Sequence, residues 1–171
     1  LVLSEKGILP FIKDYQVKRF TAFFDPYSDR TGAGWNVIQS MIAVGSGRFF
    51  GKGLFSGSQT QLQFLPARHT DFVFSVIAEE LGFVGAFVTL LLYAVVLWRG
   101  LRIMEEAKDA LGTCICGGIV SMLAFHLLVN VGMTLGIMPV TGIPLPFISN
   151  GGSAMVTNFF AVGIILSVSM R

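Results

Sequence analysis

Apolar and polar positions divide the chain into a mixed front and an apolar back. Residues 1–71 interleave aromatic and charged side chains and carry clusters of turn-forming residues at FFDPYSDRTGAG and GSGRFFGKGLFSGS. Such clusters interrupt periodic structure, so this part reads as a large water-facing loop with short helices lying on a membrane surface. One of them is predicted over WNVIQSMIAV, Trp35 to Val44. From residue 72 the pattern changes to long apolar runs. A first spanning helix is predicted over 72–98, because Leu81 to Trp98 is 18 residues without a charge, about the minimum for a crossing. Trp98, Arg99 and Arg102 form an interfacial anchor, and 99–111 reads as a polar connection. A second spanning helix is expected over 112–137, a Pro- and Gly-rich loop (MPVTGIPLPFISNGG) over 138–152, and a third helix with the chain end over 153–171. The predicted fold class is an all-α polytopic membrane protein: three transmembrane helices preceded by a large extracellular loop.

Composition strengthens that reading. Of 171 residues 53% are hydrophobic and 13% charged, with a mean hydropathy of +0.72, far from a soluble domain. Of the 22 charged residues 13 lie in 1–71, and none lies in the 61 residues from Ala110 to Met170. As helix that stretch would extend roughly 90 Å, against a hydrocarbon core of about 30 Å, so it crosses at least twice. A net charge of +2, nearly balanced by acids, excludes a nucleic-acid binder. Cys114 and Cys116, the two cysteines, are too few for a zinc site and read as small packing residues. The chain opens on LVLSEKGILPF without a Met, and is expected to be the carboxyl-terminal part of something longer.

Lys and Arg counts in short loops set orientation. The 99–111 loop has Arg99, Arg102 and Lys108, and the 138–152 loop has none. Residues 1–71 and 138–152 are therefore expected outside, and 99–111 and Arg171 in the cytoplasm.

Candidate chemistry concentrates in ARHTDFVFSVIAEELGFVGAF, residues 67–87. At about 100° per residue, Asp71, Ser75, Ala78, Glu79 and Gly82 share one stripe and Glu80 points away. Asp71 suits a helix N-cap equally well, and the two glutamates suit a headgroup-level pair held by a basic residue on a neighbouring helix. Two carboxylates on one stripe, one of them two turns into the bilayer, favour function, because acids inside a membrane are costly. Eight residues separate them by ~12 Å along a helix, beyond the ~5 to 9.5 Å of paired-carboxylate glycosidic chemistry. One carboxylate is then the chemist: Asp71, at the wet end. Glu79 is assigned support, by binding a cation, accepting hydrogen bonds or tuning Asp71.

GSGRFFGKG (45–53) resembles a phosphate-cradling loop only superficially, lacking the strand and spacing of nucleotide motifs. It reads either as a loop presenting Arg48 and Lys52 to an anionic headgroup or as a solvated basic loop. His126, Asn130 and Thr134, four apart, share a helix face. With Gly132 and Gly136 in GxxxG spacing, interhelical hydrogen bonding is favoured over catalysis.

YQVKRFTAFFDPYSDRTGAGWNVIQSMIAVGSG, GKGLFSGSQTQLQFLPARHTDFVFSVIAEELGFVG and MPVTGIPLPFISNGGSAM together resemble the carboxyl-terminal half of the SEDS proteins (shape, elongation, division and sporulation), closest in wording to the rod-shape branch. The resemblance covers nearly the whole chain. It implies a ten-helix protein that polymerises lipid II into glycan strands outside the bacterial cytoplasmic membrane, beside a class B penicillin-binding protein. The family's essential extracellular aspartate falls on Asp71 and the first glutamate of its EE pair on Glu79. One departure is Asn150, where the family usually has Tyr. In this reading Asp71 is the general base on the acceptor hydroxyl and undecaprenyl diphosphate is the leaving group. Arg48, Lys52, Arg68 and His69 are candidate diphosphate holders, and a divalent cation such as Mg²⁺ could share that load. Membrane lipid is a further partner. The competing classes are a precursor flippase or proton-coupled transporter, with Asp71 and Glu79 as a relay and the IPLPFISNGG break as a half-helix binding site, and a scaffold that only recruits partners.

Overall fold

The computed structural model describes residues 32–54, 56–57 and 70–170. Four helices are built from them: α1 (Ala33–Ser46), α2 (Val73–Glu106), α3 (Ala110–Thr134) and α4 (Gly152–Ser169), with no strand among the described residues. The last three are each long and apolar enough to cross a membrane, so the protein is an all-α polytopic membrane protein. The short helices expected elsewhere in the first 31 residues lie outside the described residues.

Two helix ends differ from the sequence expectation, each for a local reason. α2 does not stop at Trp98 but continues to Glu106, because Arg, Leu, Met and Glu in RGLRIMEE are strong helix formers. The Arg102 guanidinium lies 5.5 Å from the centre of the Trp98 ring, a cation–π pair one turn apart. The expected 99–111 connection shrinks to Ala107, Lys108 and Asp109, which joins α2 and α3 as antiparallel neighbours. α3 ends at Thr134 rather than 137. Gly136, at φ 72°, takes the left-handed position of a Schellman stop. Ile137 N–H donates to the Gly132 carbonyl at 2.8 Å and Gly136 N–H to the Met133 carbonyl at 3.2 Å.

That stop also corrects the GxxxG reading. A methyl on Gly136 would stand 2.8 Å from Met41 Sδ of α1, and one on Gly132 3.0 Å from Met138 Cγ of the following loop. Neither glycine opens a crossing between spanning helices. Gly100 does: a methyl there would lie 2.6 Å from Val120 Cγ2, so α2 and α3 pack closely where α2 has no side chain.

Packing closes the bundle at both ends. Cys116, Val120 and Ile165 join α3 to α4 near the α2–α3 turn, with Leu97, Ile103 and Met104 against them. Phe74, Tyr93 and Leu145 hold the opposite end, backed by Leu90, Leu127 and Val131. There α1 is drawn in through Ala43, packed with Phe72 and Met133, and Ser40 Oγ donates to the Thr134 carbonyl at 2.6 Å. Large apolar side chains such as Phe87, Leu92 and Phe160 remain outward, the pattern expected where the surrounding solvent is lipid.

Candidate functional site

α2 is two helices, broken at Gly82, whose backbone (φ 68°, ψ −163°) lies in a region essentially restricted to glycine. The break leaves unpaired carbonyls on one side and unpaired amides on the other. The GSGRFFGKG loop fills both. Lys52 N–H and Gly53 N–H donate to the carbonyls of Glu79 and Glu80, each at 3.0 Å. The carbonyls of Arg48 and Phe49 accept from Phe83 N–H (2.9 Å) and Val84 N–H (3.2 Å). Contact is backbone to backbone: a methyl on Gly47 would sit 1.9 Å from the Ala78 oxygen, one on Gly51 2.1 Å from the Glu80 oxygen, and one on Gly82 2.2 Å from Gly51 N. The motif that superficially resembled a phosphate cradle is a wedge seated in a membrane helix.

The wedge also decides what Glu79 does. The Glu79 carboxylate is fully buried and its Oε1 accepts from Lys52 Nζ at 2.8 Å, an ion pair whose lysine end is 30% exposed. Ser75, Ala78, Glu79 and Gly82 of the predicted stripe are indeed the buried face of this helix segment, and Glu80 is half-buried. Ala78, Glu79 and Gly82 are buried against the wedge. Glu79 is thus held by a basic residue, as the structural alternative for it required, but Lys52 reaches it from the wedge loop and not from a neighbouring helix.

Asp71 lies in the turn just before α2. The residue at the cap position is Phe72, which makes no capping bond, so Asp71 does not serve as the N-cap. Its own segment is held from two directions. Asn130 of α3, fully buried, donates from Nδ2 to the carbonyls of Asp71 and Ile143, both at 2.8 Å. Ser149 Oγ donates to the Thr70 carbonyl at 2.5 Å and accepts from Leu145 N–H at 2.8 Å. The same loop is tied to mid-α2 by Tyr93, whose hydroxyl donates to the Pro146 carbonyl. Gly142, at φ 75°, turns so closely past the aspartate that a methyl on it would stand 3.4 Å from Asp71 Oδ2. The Asp71 turn and the 138–151 loop therefore form one unit at one end of the bundle, with a half-buried carboxylate at its edge.

Of the other predicted residues, Arg48 is exposed and borders an apolar groove of about 350 Å³ lined by Phe74, Phe83, Phe87, Leu90 and Val131 among others. Arg68 and His69 lie outside the described residues. His126 is half-buried beside Phe125, while Thr134, which shares its helix face, donates to the Val131 carbonyl within α3. Among the described residues no three His, Cys, Asp or Glu side chains converge as metal ligands. Sequence reasoning missed Ser149 and Tyr93. The available signal for Tyr93 was its being the only Tyr in an apolar run, since a buried phenol needs a partner.

This geometry has relatives. The family described as cell cycle protein, which takes in FtsW, RodA and SpoVE, matches residues 1–171. Peptidoglycan glycosyltransferase MrdB of Escherichia coli K12 is 48% identical over 155 residues, 91% of this chain and 42% of the relative. Stage V sporulation protein E of Bacillus subtilis is 46% identical over the same shares. Peptidoglycan glycosyltransferase RodA of Treponema pallidum is 46% identical over 94% of this chain and 37% of its own. Among solved structures, a chain of a peptidoglycan synthase complex that coordinates polymerization and crosslinking superposes with TM-score 0.76 at 34% identity, covering 99% of this chain and 46% of that one. Thermus thermophilus rod shape determining protein RodA, solved as an aspartate-to-alanine mutant, gives 0.60 at 39% identity over 71% of this chain and 37% of its own. The chain spans less than half the length of these relatives. It belongs to the FtsW/RodA/SpoVE family of multi-pass bacterial inner-membrane proteins.

Proposed function

We propose that this chain carries the catalytic carboxylate of a peptidoglycan glycosyltransferase that polymerises lipid II for cell-wall elongation and cell-shape maintenance. The observation that carries the reading is the contrast between its two candidate acids. Glu79 is neutralised inside the protein by Lys52, whereas Asp71 stands half-buried at the end of the bundle, its backbone fixed by Asn130 and its carboxylate beside Gly142. A carboxylate so placed can accept the proton of an acceptor sugar hydroxyl as that oxygen attacks the anomeric carbon of a lipid-linked donor, which loses undecaprenyl diphosphate. Arg48, exposed and bordering the apolar groove, suits the departing diphosphate and its chain. Names of the relatives support the activity, and the neighbour drawn from a synthase complex supports a crosslinking partner of the class B penicillin-binding type. The basic residues at the opposite end of α2 support an outer-face position for the Asp71 turn and the 138–151 loop.

The transport alternative depended on Glu79 as an intramembrane relay, and its pairing with Lys52 weakens that role. The test is reconstitution of the full-length protein in proteoliposomes with lipid II supplied on the side of the Asp71 turn. Glycan strands on a gel are expected. Lipid II movement across the bilayer without glycan would overturn the reading.

A further inference from the structure

Asn130 presents an unusual balance. It is fully buried in a membrane helix, donates both Nδ2 protons to backbone carbonyls, and leaves Oδ1 as the one buried side-chain atom without a hydrogen-bond partner among the described residues. An orphaned buried acceptor offsets much of what two donated bonds contribute, so the residue adds little net stability. What it adds is register. One amide group spans two segments far apart in sequence, the turn carrying Asp71 and the loop carrying Ile143, and sets how they face each other. Ser149 makes a second tie of the same kind one residue away, joining the Thr70 carbonyl to Leu145 N–H through a single buried hydroxyl.

We propose that Asn130 and Ser149 are positioning residues for glycosyl transfer: they clamp the Asp71 turn to the 138–151 loop and so fix the Asp71 carboxylate beside Gly142. The proposal rests on the reading of Asp71 as the base. Neither side chain touches substrate in this account. Each acts on the backbone that carries the carboxylate, and a displacement of about 1 Å at a reacting group can cost 10²-fold in rate. The effect therefore falls on the chemical step and not on lipid II binding.

The experiment is steady-state lipid II polymerisation by the full-length protein carrying Asn130→Leu, which keeps the apolar volume and removes both donors with the orphaned acceptor. Expected are a melting temperature lowered by a few degrees, since the Asp71 and Ile143 carbonyls lose their donor, with the protein still folded, a kcat lower by about 10- to 100-fold, and an unchanged KM. In an Asp71→Asn background, Asn130→Leu is expected to cause no further loss, because the residue acts through the carboxylate already removed. Ser149→Ala, which deletes one buried hydroxyl, carries the same expectations and stands in should Asn130→Leu fail to accumulate. Wild-type kcat in both variants with Asp71→Asn inactive would overturn the clamp while leaving the base intact. A rise in KM alone, or a further loss in the Asp71→Asn background, would overturn it too. Full activity of Asp71→Asn would instead remove the underlying reading.

Discussion

Substituting Gly82 by alanine perturbs the wedge at its tightest point. Two costs can be worked from the geometry. First, the φ 68°, ψ −163° conformation costs an alanine about 1 to 3 kcal/mol. Second, the new methyl would lie 2.2 Å from Gly51 N and 2.7 Å from the Phe49 oxygen, both backbone, so the loop must withdraw. Withdrawal sacrifices the four backbone hydrogen bonds between 48–53 and 79–84, each contributing about 0.5 to 1.5 kcal/mol net. The combined loss is roughly 3 to 9 kcal/mol, enough to lower the melting temperature of the full-length protein by several degrees. The assay is thermal unfolding of the detergent-solubilised full-length protein, followed by loss of the monodisperse peak. Gly118→Ala serves as control, since that glycine lies within α3 with nothing within 4 Å of an added methyl and alanine is the better helix former by about 1 kcal/mol. If Gly82→Ala melts with Gly118→Ala, the wedge is not what holds the helix break.

Three further outcomes are expected. Lys52→Met leaves Glu79 buried without its ion-pair partner and should cost about 3 kcal/mol, the lower end for a broken buried pair because the lysine is partly exposed. Adding Glu79→Gln should recover part of that loss in melting temperature, and strictly additive losses would contradict the pairing. Glu79→Gln alone should lower polymerisation more than Glu80→Gln, since Glu79 is fully buried and Glu80 only half-buried; equal losses would show that the buried face carries no functional weight. A cysteine placed at Glu105, near the α2–α3 turn, should resist membrane-impermeant thiol reagents in intact cells, and labelling from outside would invert the proposed orientation.

The parts of this molecule legible in the sequence are those governed by one-dimensional chemistry. Apolar run length gave the three spanning helices, and the turn residues of MPVTGIPLPFISNGG gave the loop between the last two. Helix spacing placed Ser75, Ala78, Glu79 and Gly82 on one buried face. Helix ends were less legible: the Trp98–Arg99 anchor looked like a terminus, yet nothing in RGLRIMEE breaks a helix, and Gly136 looked like a packing glycine when it is a stop. Harder still were pairings across long separations. Glycines in GSGRFFGKG announce unusual backbone, but not that it docks into the interrupted EELG segment some thirty residues later. Lys52 next to Glu79 follows from that docking and from nothing in either local sequence. Asn130 shows both sides: its helix face was evident, while the two carbonyls it serves belong to segments that only the fold brings together.

The central claim is that Asp71 removes a proton during glycosyl transfer. Asp71→Asn keeps the size of the side chain and leaves the backbone ties from Asn130 and Ser149 untouched, while removing its basicity. Purified full-length protein with this change should accumulate and melt as wild type, yet polymerise lipid II slower by about 10²- to 10⁴-fold, the range for loss of a general base. Glycan product at near wild-type rate from Asp71→Asn would contradict the account.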